Sequence, residues 1–387
     1  MKTSSSRISG LGTTIFAEMS ALAVRTGAVN LGQGFPDTDG PTAIIDAARD
    51  AMRQGHNQYA PGTGIPVLRQ AIAAHQARWY GLAIDPDTEV AVTTGATEAI
   101  AAALLGLVDP GDEVIVLEPY YDSYVACIQM AGGVRKPVTL RAPDFRLPVD
   151  ELRAAVTPRT TAILLNSPHN PTGMVLNAEE LKAIATLAVE HDLTVISDEV
   201  YEHLTFDGLA HTPISTLPGM AERTLTISSS GKSFSLTGWK IGWGTGPAEL
   251  VRAMMTAKQF MTYTSGAPFQ PAIALALGSG SDYFDAFSHG MTDQRDLLCA
   301  GLSDIGFDVF VPEGTYFVST DIRPLGYDDG VEFCRMLPER AGVVAIPHEV
   351  FYDDKEAGRP LVRWAFCKRQ EVLVEALDRL HAAFGSR

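Results

Sequence analysis

Two lysines that could do chemistry lie eight residues apart, in a stretch of small residues between two apolar runs. Lys232 and Lys240 belong to residues 228–242, and the run 224–227 before them is typical of a short buried strand. Burial disfavours a charged amine, so a lysine in such a turn loses its proton readily and becomes a nucleophile for carbonyl carbon. We therefore predict that Lys232 is a reactive amine and that Lys240, together with Ser229, binds an anion.

The same stretch allows two other interpretations. One is an ordinary surface loop with two solvated lysines. The other rests on the S-x-x-K string at 229–232, which is also a signature of serine acyl-enzymes such as β-lactamases. Those enzymes carry S-D-N and K-T-G strings as well, and the nearest strings here, at 197–199 and 236–238, match neither. The rest of the chain has to decide among the three.

A candidate anion site follows the short strand predicted at 89–94. Gly95, Ala96 and Thr97 come next and open an alanine-rich helix that extends to about residue 107. In this geometry free backbone N–H groups and the positive end of the helix dipole point at a ligand. The Ala96 and Thr97 amides and the Thr97 hydroxyl are the predicted phosphate donors. A simple helix N-cap is the alternative.

Polar side chains follow two apolar runs that we predict to be central strands. Asp198 comes directly after the run 193–197, and Asn170 lies in a proline-containing turn after the run 161–165. Ligands of α/β folds bind at the carboxyl ends of such strands. A buried aspartate needs a cationic or hydrogen-bonding partner, so Asp198 is either a ligand-binding acid or a helix N-cap. The two X–Pro bonds beside Asn170 favour cis geometry and a rigid turn.

An arginine lies inside an apolar strand near the end of the chain. Arg363 has valine and tryptophan as its neighbours. A charge in such a strand needs a partner, and the guanidinium fork fits a carboxylate bidentately. We interpret Arg363 as a carboxylate-binding residue, with an internal salt bridge as the alternative. Near the other end of the chain, Gly34 would permit a tight backbone close to a ligand, with a plain turn as the alternative.

The composition is that of a globular protein. The chain has 387 residues, 46% of them apolar and 20% charged, which is enough for two domains. A net charge of −16 argues against nucleic acid and anionic membranes as partners. The four cysteines have no metal-ligand spacing, so we expect reduced thiols in a cytoplasmic protein and no metal site. Neither a secretory signal nor an uncharged apolar run of about 18 residues is found, so we expect no membrane segment.

Taken together, the motifs resemble those of a pyridoxal-phosphate (PLP) aminotransferase of the aspartate aminotransferase superfamily, fold type I, class I/II. The resemblance covers nearly the whole chain, and the motifs come in the order and spacing of that family, which overrules the serine acyl-enzyme. They are G-A-T at 95–97, N-P-T-G at 170–173, D-E-V-Y at 198–201, S-x-x-K at 229–232, a second cation at Lys240 and the late Arg363.

The resemblance implies a fold as well. It is an α/β fold with a mostly parallel central sheet, helices on both faces and a smaller α+β domain. Strands and helices that alternate along this chain agree with it. The expected parts are an N-terminal arm with part of the small domain at 1–40, a large PLP-binding domain at 41–285 and a small C-terminal domain at 286–387. A long helix at about 282–304 would connect the last two.

The resemblance assigns roles toward the cofactor to individual residues. Lys232 would hold PLP as a Schiff base and later move the proton between the substrate Cα and the cofactor. Asp198 would keep the pyridine nitrogen protonated, and Asn170 and Tyr201 would donate to the ring oxygen O3′. The phosphate would be bound by Gly95, Ala96, Thr97, Ser229, Lys240 and, across a dimer interface, Tyr59.

The resemblance also implies how ring and substrate are held. Tyr121 would stack on the cofactor ring, with Tyr120 as the second choice. Arg363 would clamp the substrate α-carboxylate with help from Asn170 and the backbone at Gly34, a charged pair worth about 1.5–3 kcal/mol. The side-chain pocket would be lined by Phe16, Tyr263 and Thr264.

Within the superfamily, the chain resembles the kynurenine, glutamine and methionine aminotransferases, and more closely the bacterial N-succinyldiaminopimelate aminotransferases of lysine biosynthesis. The strings 16–22, 266–271 and 324–329 are similar to those of the second group. We expect an L-amino acid and a 2-oxo acid such as 2-oxoglutarate as substrates, and a homodimer with shared sites. A PLP-dependent carbon–sulfur β-lyase with the same residues is one alternative. A cofactor-sensing regulator is another, but its DNA-binding domain would need more chain before the first motif.

Overall fold

The computed structural model describes residues 5, 7–12 and 14–385 of the chain. The strands are β1 (Val29–Asn30), β2 (Val90–Thr94), β3 (Glu113–Glu118), β4 (Val134–Thr139), β5 (Thr160–Asn166), β6 (Thr194–Asp198), β7 (Thr224–Ser229), β8 (Ile241–Thr245), β9 (Asp308–Phe310), β10 (Phe317–Asp321), β11 (Val343–Val344), β12 (Ile346–Pro347) and β13 (Leu361–Ala365). The α-helices are α1 (Ile15–Thr26), α2 (Thr42–Arg53), α3 (Pro66–Tyr80), α4 (Gly95–Leu107), α5 (Asp122–Ala131), α6 (Val149–Ala155), α7 (Ala178–Glu190), α8 (Ser230–Ser233), α9 (Ala248–Lys258), α10 (Phe269–Leu277), α11 (Ser281–Ile305), α12 (Gly330–Arg340), α13 (Lys355–Gly358) and α14 (Gln370–Phe384).

Seven strands form the large central sheet in the order β2-β8-β7-β6-β5-β3-β4. Five adjacent strands of this sheet, β7, β6, β5, β3 and β4, run parallel to one another, and β8 runs antiparallel to both of its neighbours, β2 and β7. The middle strands are continuous apolar runs because parallel strands are buried on both faces. In β5, for example, Ile163, Leu164 and Leu165 are all buried. The predicted α/β fold with a mostly parallel sheet is confirmed.

Helices cover both faces of this sheet. On one face α4, α5 and α9 pack against Val114 and Val116 of β3. On the other face α6 and α7 pack against Ile115 and Leu117 of the same strand. Alternate residues of a strand point to opposite faces, so one apolar strand contributes to two cores. Among the described residues, no helix has the length and apolar character that crossing a bilayer requires.

The carboxyl ends of the central strands lie side by side. Asn166 at the end of β5 is in register with Asp198 at the end of β6, and β7 ends nearby at Ser229. The residues that follow these ends therefore meet at one edge of the sheet. Lys232 lies there in α8, a single helical turn, where the sequence indicated a turn without helix. Both X–Pro bonds in the turn after β5 are cis, as predicted.

A second, four-stranded antiparallel sheet has the order β12-β13-β10-β9 and carries Arg363 on β13. Helices α11, α12 and α14 pack with this sheet around the buried Trp364. The N-terminal residues join the same part, because β1 pairs with β11 and α1 packs into the same apolar cluster. These contacts support the predicted division at 1–40, 41–285 and 286–387, which we keep as a proposal.

Candidate active site

A cavity of about 440 Å³ lies where the carboxyl ends of β5, β6 and β7 face the smaller sheet. Residues from both sheets, from α1 and from the start of α4 line it. The predicted site residues that line this cavity are Phe16, Gly34, Gly95, Ala96, Thr97, Tyr121, Asn170, Asp198, Tyr201, Ser229, Lys232, Lys240 and Arg363.

The amine of Lys232 is held inside the cavity. Its Nζ donates to Tyr316 Oη at 2.8 Å and lies 3.4 Å from the carbonyl oxygen of Gly34. Desolvation by burial lowers the pKa of Lys232 to about 8, and the charge of Arg363 acts in the same direction, against the carboxylate of Asp198. A larger fraction of this amine is therefore neutral and nucleophilic near neutral pH than for a lysine in water.

Asp198 is the last residue of β6 and is 4% exposed. Its Oδ2 accepts from the Tyr124 hydroxyl at 2.6 Å, and its Oδ1 accepts from the Val200 N–H at 3.3 Å. Burial raises the pKa of Asp198 to about 6, although both hydrogen bonds oppose that rise. No lysine or arginine of the described chain forms a salt bridge with this carboxylate. It is therefore suited to a cationic N–H group from a bound ligand.

The guanidinium of Arg363 lies between the two sheets and is 1% exposed. Its Nη1 donates to Asn170 Oδ1 at 3.0 Å, its Nη2 donates to the Gly32 carbonyl at 2.8 Å, and its Nε has no partner. Burial lowers the pKa of Arg363 to about 10. Within residues 14–385 no carboxylate pairs with this guanidinium, so the internal salt bridge is not formed. The positive charge is free to bind an anion.

Asn166 connects these groups, although the sequence pointed only to its neighbours. Its Oδ1 accepts from the Asn170 N–H at 2.8 Å, and its Nδ2 donates to the Asp198 carbonyl at 2.9 Å. These bonds fix the turn that carries Asn170 against the end of β6. The signal in the sequence was its place at the end of a strand. Other cavity residues that the sequence did not single out include Thr14, Gln33, Asp122 and Tyr124.

The second lysine and the start of α4 form a cradle at one end of the cavity. Lys240 has a left-handed backbone, with φ 54°, directly before β8. Its side chain reaches the first residue of α4, since a Cβ added to Gly95 would lie 3.2 Å from Lys240 Nζ. Ser229 lines the same cavity from the end of β7. An ammonium group, a hydroxyl and the free N–H groups of a 13-residue helix suit a phosphate.

Two tyrosines bring rings and hydroxyls to the cavity. Tyr121 packs edge-on against Tyr124, with ring centroids 5.7 Å apart, and burial raises its pKa to about 12. Burial also raises the pKa of Tyr201. Both hydroxyls therefore keep their protons and can donate. Tyr120 is engaged elsewhere, because its hydroxyl donates to Asp353 at 2.7 Å, which favours Tyr121 as the stacking residue.

Three predicted residues do not line the cavity of this chain. Tyr59 is 84% exposed and packs edge-on against Tyr263, with ring centroids 5.6 Å apart. Thr264 follows directly and is absent from the cavity lining as well. The Lys258 amine holds this surface together by donating to the carbonyls of Tyr263 at 2.7 Å and Gly62 at 3.0 Å. The role of Tyr59 at the phosphate across a dimer interface, and the roles of Tyr263 and Thr264 in the side-chain pocket, stay predictions.

Comparison with known proteins identifies a family over most of the chain. The sequence model of the family "Aminotransferase class I and II" matches residues 26–380. The chain is 56% identical over 386 residues to the "Probable N-succinyldiaminopimelate aminotransferase DapC" of Mycobacterium tuberculosis, with 97% of each chain covered. It is 40% identical over 375 residues to the methionine aminotransferase of Escherichia coli (strain K12), again with 97% of each chain covered.

The fold has the same relatives. The structure of N-succinyldiaminopimelate aminotransferase from Mycobacterium tuberculosis matches with a TM-score of 0.96 at 56% identity, covering 98% of this chain and 100% of that one. These matches confirm the predicted aminotransferase family, fold type and reaction class. They give no support to the alternative of a serine acyl-enzyme. The chain belongs to the aminotransferase class I and II family and is an enzyme that transfers amino groups.

Proposed function

We propose that the protein binds PLP in this cavity and moves an amino group from an L-amino acid to a 2-oxo acid. The observation that carries the proposal is the set of three ionisable groups that face the cavity. They are the Lys232 amine, the Asp198 carboxylate and the Arg363 guanidinium. None of them forms a salt bridge with another of the described residues. Each therefore has its charge or its lone pair available for a group of the reactants.

The donor set suits PLP. A protonated pyridine nitrogen would give the buried Asp198 carboxylate the cationic partner that it lacks. The cradle of Lys240, Ser229 and the start of α4 suits the phosphate, and the face of Tyr121 suits the ring. When bound, PLP supplies an electron-withdrawing ring that stabilises negative charge at the substrate Cα.

Two donors are suited to the ring oxygen O3′. The Oδ1 of Asn170 accepts from Arg363, which leaves the Nδ2 of the same amide as a donor. Tyr201 keeps its proton because burial raises its pKa. An amide N–H and a phenol O–H at this position would stabilise a negative oxygen on the ring.

The reacting substrate is held and deprotonated by residues of both sheets in this proposal. Arg363 binds the α-carboxylate through its fork, with the backbone at Gly34 beside it. Phe16 covers the guanidinium, with its ring centroid 5.1 Å from the guanidinium carbon. Lys232 would hold the cofactor covalently and, once the amino group of the substrate has displaced it, would as a free neutral amine take the proton from the substrate Cα.

The relatives support a choice of amino donor. The relative at 56% identity is called an N-succinyldiaminopimelate aminotransferase, which supports N-succinyl-LL-2,6-diaminopimelate as donor and 2-oxoglutarate as acceptor, in lysine biosynthesis. Two relatives support the alternative of methionine, glutamine or kynurenine as donor. They are the methionine aminotransferase and, at 38% identity, the kynurenine–oxoglutarate transaminase of Dictyostelium discoideum.

The proposal includes a cytoplasmic homodimer. Three exposed aromatic side chains support an interface: Tyr59 and Tyr263, which pack against each other, and Phe260, which is close to Tyr263 in sequence. Tyr59 of one subunit would reach the phosphate in the other, and Tyr263 with Thr264 would line its side-chain pocket. The cysteines support a reducing compartment, since all four are free and buried.

The cofactor claim is tested by reduction. The PLP-loaded protein is treated with borohydride, digested and mapped by mass spectrometry. We expect the adduct on Lys232 and no turnover in Lys232→Ala, while Lys355→Ala, which changes an exposed lysine, keeps the activity. An adduct on another lysine would overturn the proposed role of Lys232.

The donor claim is tested by a panel. The ratio kcat/KM is measured with 2-oxoglutarate and each of N-succinyl-LL-2,6-diaminopimelate, methionine, glutamine and kynurenine. We expect the first to have the highest value. A higher value for any other donor reassigns the substrate. Pyruvate release from cystathionine faster than any transfer would make the protein a β-lyase.

A further inference from the structure

A tyrosine that the sequence did not single out touches the reactive amine. Tyr316 is fully buried directly before β10, and its hydroxyl lies 2.8 Å from Lys232 Nζ. The same hydroxyl donates to the carbonyl oxygen of Gly34 at 2.6 Å. One oxygen atom therefore joins the lysine on the large sheet to the loop that follows β1.

The direction of these two hydrogen bonds is fixed. A carbonyl oxygen only accepts, so the single proton of the Tyr316 hydroxyl goes to Gly34. Burial raises the pKa of Tyr316 well above its usual range, so the hydroxyl stays protonated while the enzyme works. Its oxygen lone pairs accept from Lys232 Nζ, and the Tyr201 hydroxyl is a second hydrogen-bonding neighbour of the same Tyr316 hydroxyl. A neutral amine that donates one N–H keeps its own lone pair uncommitted.

We propose that Tyr316 is a positioning residue for Lys232, which holds the amine by one N–H and leaves its lone pair free to take the proton from the substrate Cα. The proposal rests on the proposed function, in which Lys232 is the reactive amine. Because an amine lone pair that accepted a hydrogen bond would be a weaker base, the polarity of this contact matters as much as its length.

The surroundings hold the Tyr316 hydroxyl in place. Its ring stands edge-on to Tyr201 and to Phe317, with centroids 5.3 Å and 4.8 Å away. Its own carbonyl accepts from the Phe366 N–H at 2.9 Å. Gly34 has no space for a side chain, because a Cβ there would overlap the Phe317 ring and come within 3.2 Å of the Tyr316 ring. The Tyr316 oxygen, which accepts from Lys232, is thus held in place by its surroundings.

Several groups besides Tyr316 act on the Lys232 amine, and the test has to separate them. The groups that favour the ammonium form are Cys367 and Asp198, and those that disfavour it are Lys240 and Arg363. The Tyr201 ring centroid lies 5.7 Å from Nζ. Tyr316 differs from these, because it forms a short hydrogen bond in which the oxygen accepts. An acceptor stabilises a charged donor more than a neutral one, so removing the oxygen should lower the pKa of Lys232.

The experiment uses Tyr316→Phe, which removes one oxygen and keeps the ring. Lys232 of the cofactor-free chain is modified with trinitrobenzenesulfonate across a pH series, and labelling of its peptide is quantified by mass spectrometry. We expect the midpoint for Lys232 to fall by about one pH unit. In the PLP-loaded enzyme kcat should fall about tenfold while KM for the amino acid changes less than twofold, because Arg363 is untouched. An unchanged labelling midpoint overturns the proposal.

Two controls make the result specific. Tyr283→Phe also removes a hydroxyl next to α8, where it donates to the Ser233 carbonyl at 3.1 Å without touching Lys232, so the midpoint should stay unchanged. Tyr316→Leu lacks the hydroxyl as well and is measured where Tyr316→Phe does not fold. Borohydride mapping separates the proposed role of Lys232 from the proposed role of Tyr316. An adduct elsewhere overturns the role of Lys232, whereas an adduct on Lys232 with an unchanged midpoint overturns the Tyr316 proposal alone.

Discussion

Arg363 on β13 of the smaller sheet donates through Nη1 to Oδ1 of Asn170, in the turn after β5 of the larger sheet, at 3.0 Å. This bond crosses between the two sheets at the cavity. It links the proposed binding of the substrate carboxylate to the proposed binding of the cofactor ring, since one amide serves both. A substitution at either residue should therefore affect the binding of both the substrate carboxylate and the cofactor ring.

Replacement of Arg363 by alanine should weaken the binding of amino acids and oxo acids alike. A charged hydrogen-bond pair is worth about 1.5–3 kcal/mol, so kcat/KM should fall by about 10- to 100-fold, mostly through KM. Steady-state kinetics with several donors and 2-oxoglutarate measure this. Arg359→Ala is the matched control, because Arg359 lies just before β13 and is partly exposed. A KM that stays constant would mean that the carboxylate binds elsewhere.

Asp198 should destabilise the protein in the absence of cofactor. Its pKa in the folded chain, about 6, lies above its usual value of 3.8, so the folded state binds the proton more tightly. The stability that this proton gives is present below about pH 3.8 and is lost as the pH rises through 6. At pH 7.5 the buried carboxylate should therefore lower the free energy of unfolding by about 3 kcal/mol.

Asp198→Asn tests this trade between stability and function. The variant keeps an acceptor for Tyr124 and removes the charge, so it should be more stable than the parent at pH 7.5 and equal to it near pH 4, as measured by denaturant unfolding of cofactor-free protein. Turnover of the loaded variant should fall by orders of magnitude, because a neutral amide does not balance a protonated ring. Asp304→Asn, at an exposed acid, should change neither. Near-parental turnover would show that another group balances the ring.

The residues that end strands were predictable from sequence for a local reason. Apolar runs that stop at Asp198 and before Asn170 mark the carboxyl ends of parallel strands, and these ends share one edge of the sheet. Lys232 follows the same rule after β7. Alternation of strands and helices was sufficient for the fold class, because right-handed crossovers leave few arrangements of such elements.

Contacts between distant parts of the chain were not predictable in this way. Tyr316 and Gly34 are separated by 282 positions, and Tyr124 and Asp198 by 74. Their meeting depends on how the smaller sheet and α5 pack on the larger sheet, which no local pattern encodes. The proposed contact of the exposed Tyr59 is not seen within one chain, since its partner would belong to a second copy of the chain.

The exposed aromatic surface should hold two subunits together. Phe260 is 85% exposed, close in sequence to Tyr263, which Tyr59 contacts. A carboxylate in the middle of an apolar interface is buried without a partner, so Phe260→Asp should convert the protein to monomers in sedimentation experiments and reduce its activity. Val311→Asp, at an exposed apolar residue after β9, should leave the assembly unchanged. A parent protein that sediments as an active monomer would contradict the proposed dimer.

A pair of histidines, one buried and one half-buried, should make the fold sensitive to acid. His75 and His203 meet through their Nε2 atoms at 2.8 Å, with ring centroids 5.0 Å apart, so the two nitrogens point at each other. That is the geometry of a shared proton, whereas ligands of one metal ion converge on a third point. Burial lowers the pKa of His203 to about 4 and lowers that of His75 as well.

The sign of the pH effect follows from these values. The folded-state pKa of His203 lies below the usual 6.5, so the unfolded chain binds more protons than the folded chain between pH 6.5 and 4. The free energy of unfolding should therefore fall as the pH is lowered from 6.5 to 4. Between pH 6.5 and 5 His203 alone should contribute about 2 kcal/mol. Denaturant unfolding of His203→Gln should therefore show a shallower pH dependence than the parent, while His289→Gln, at an exposed histidine, keeps the parental slope. Equal slopes for all three proteins would contradict the lowered pKa of His203 in the folded chain.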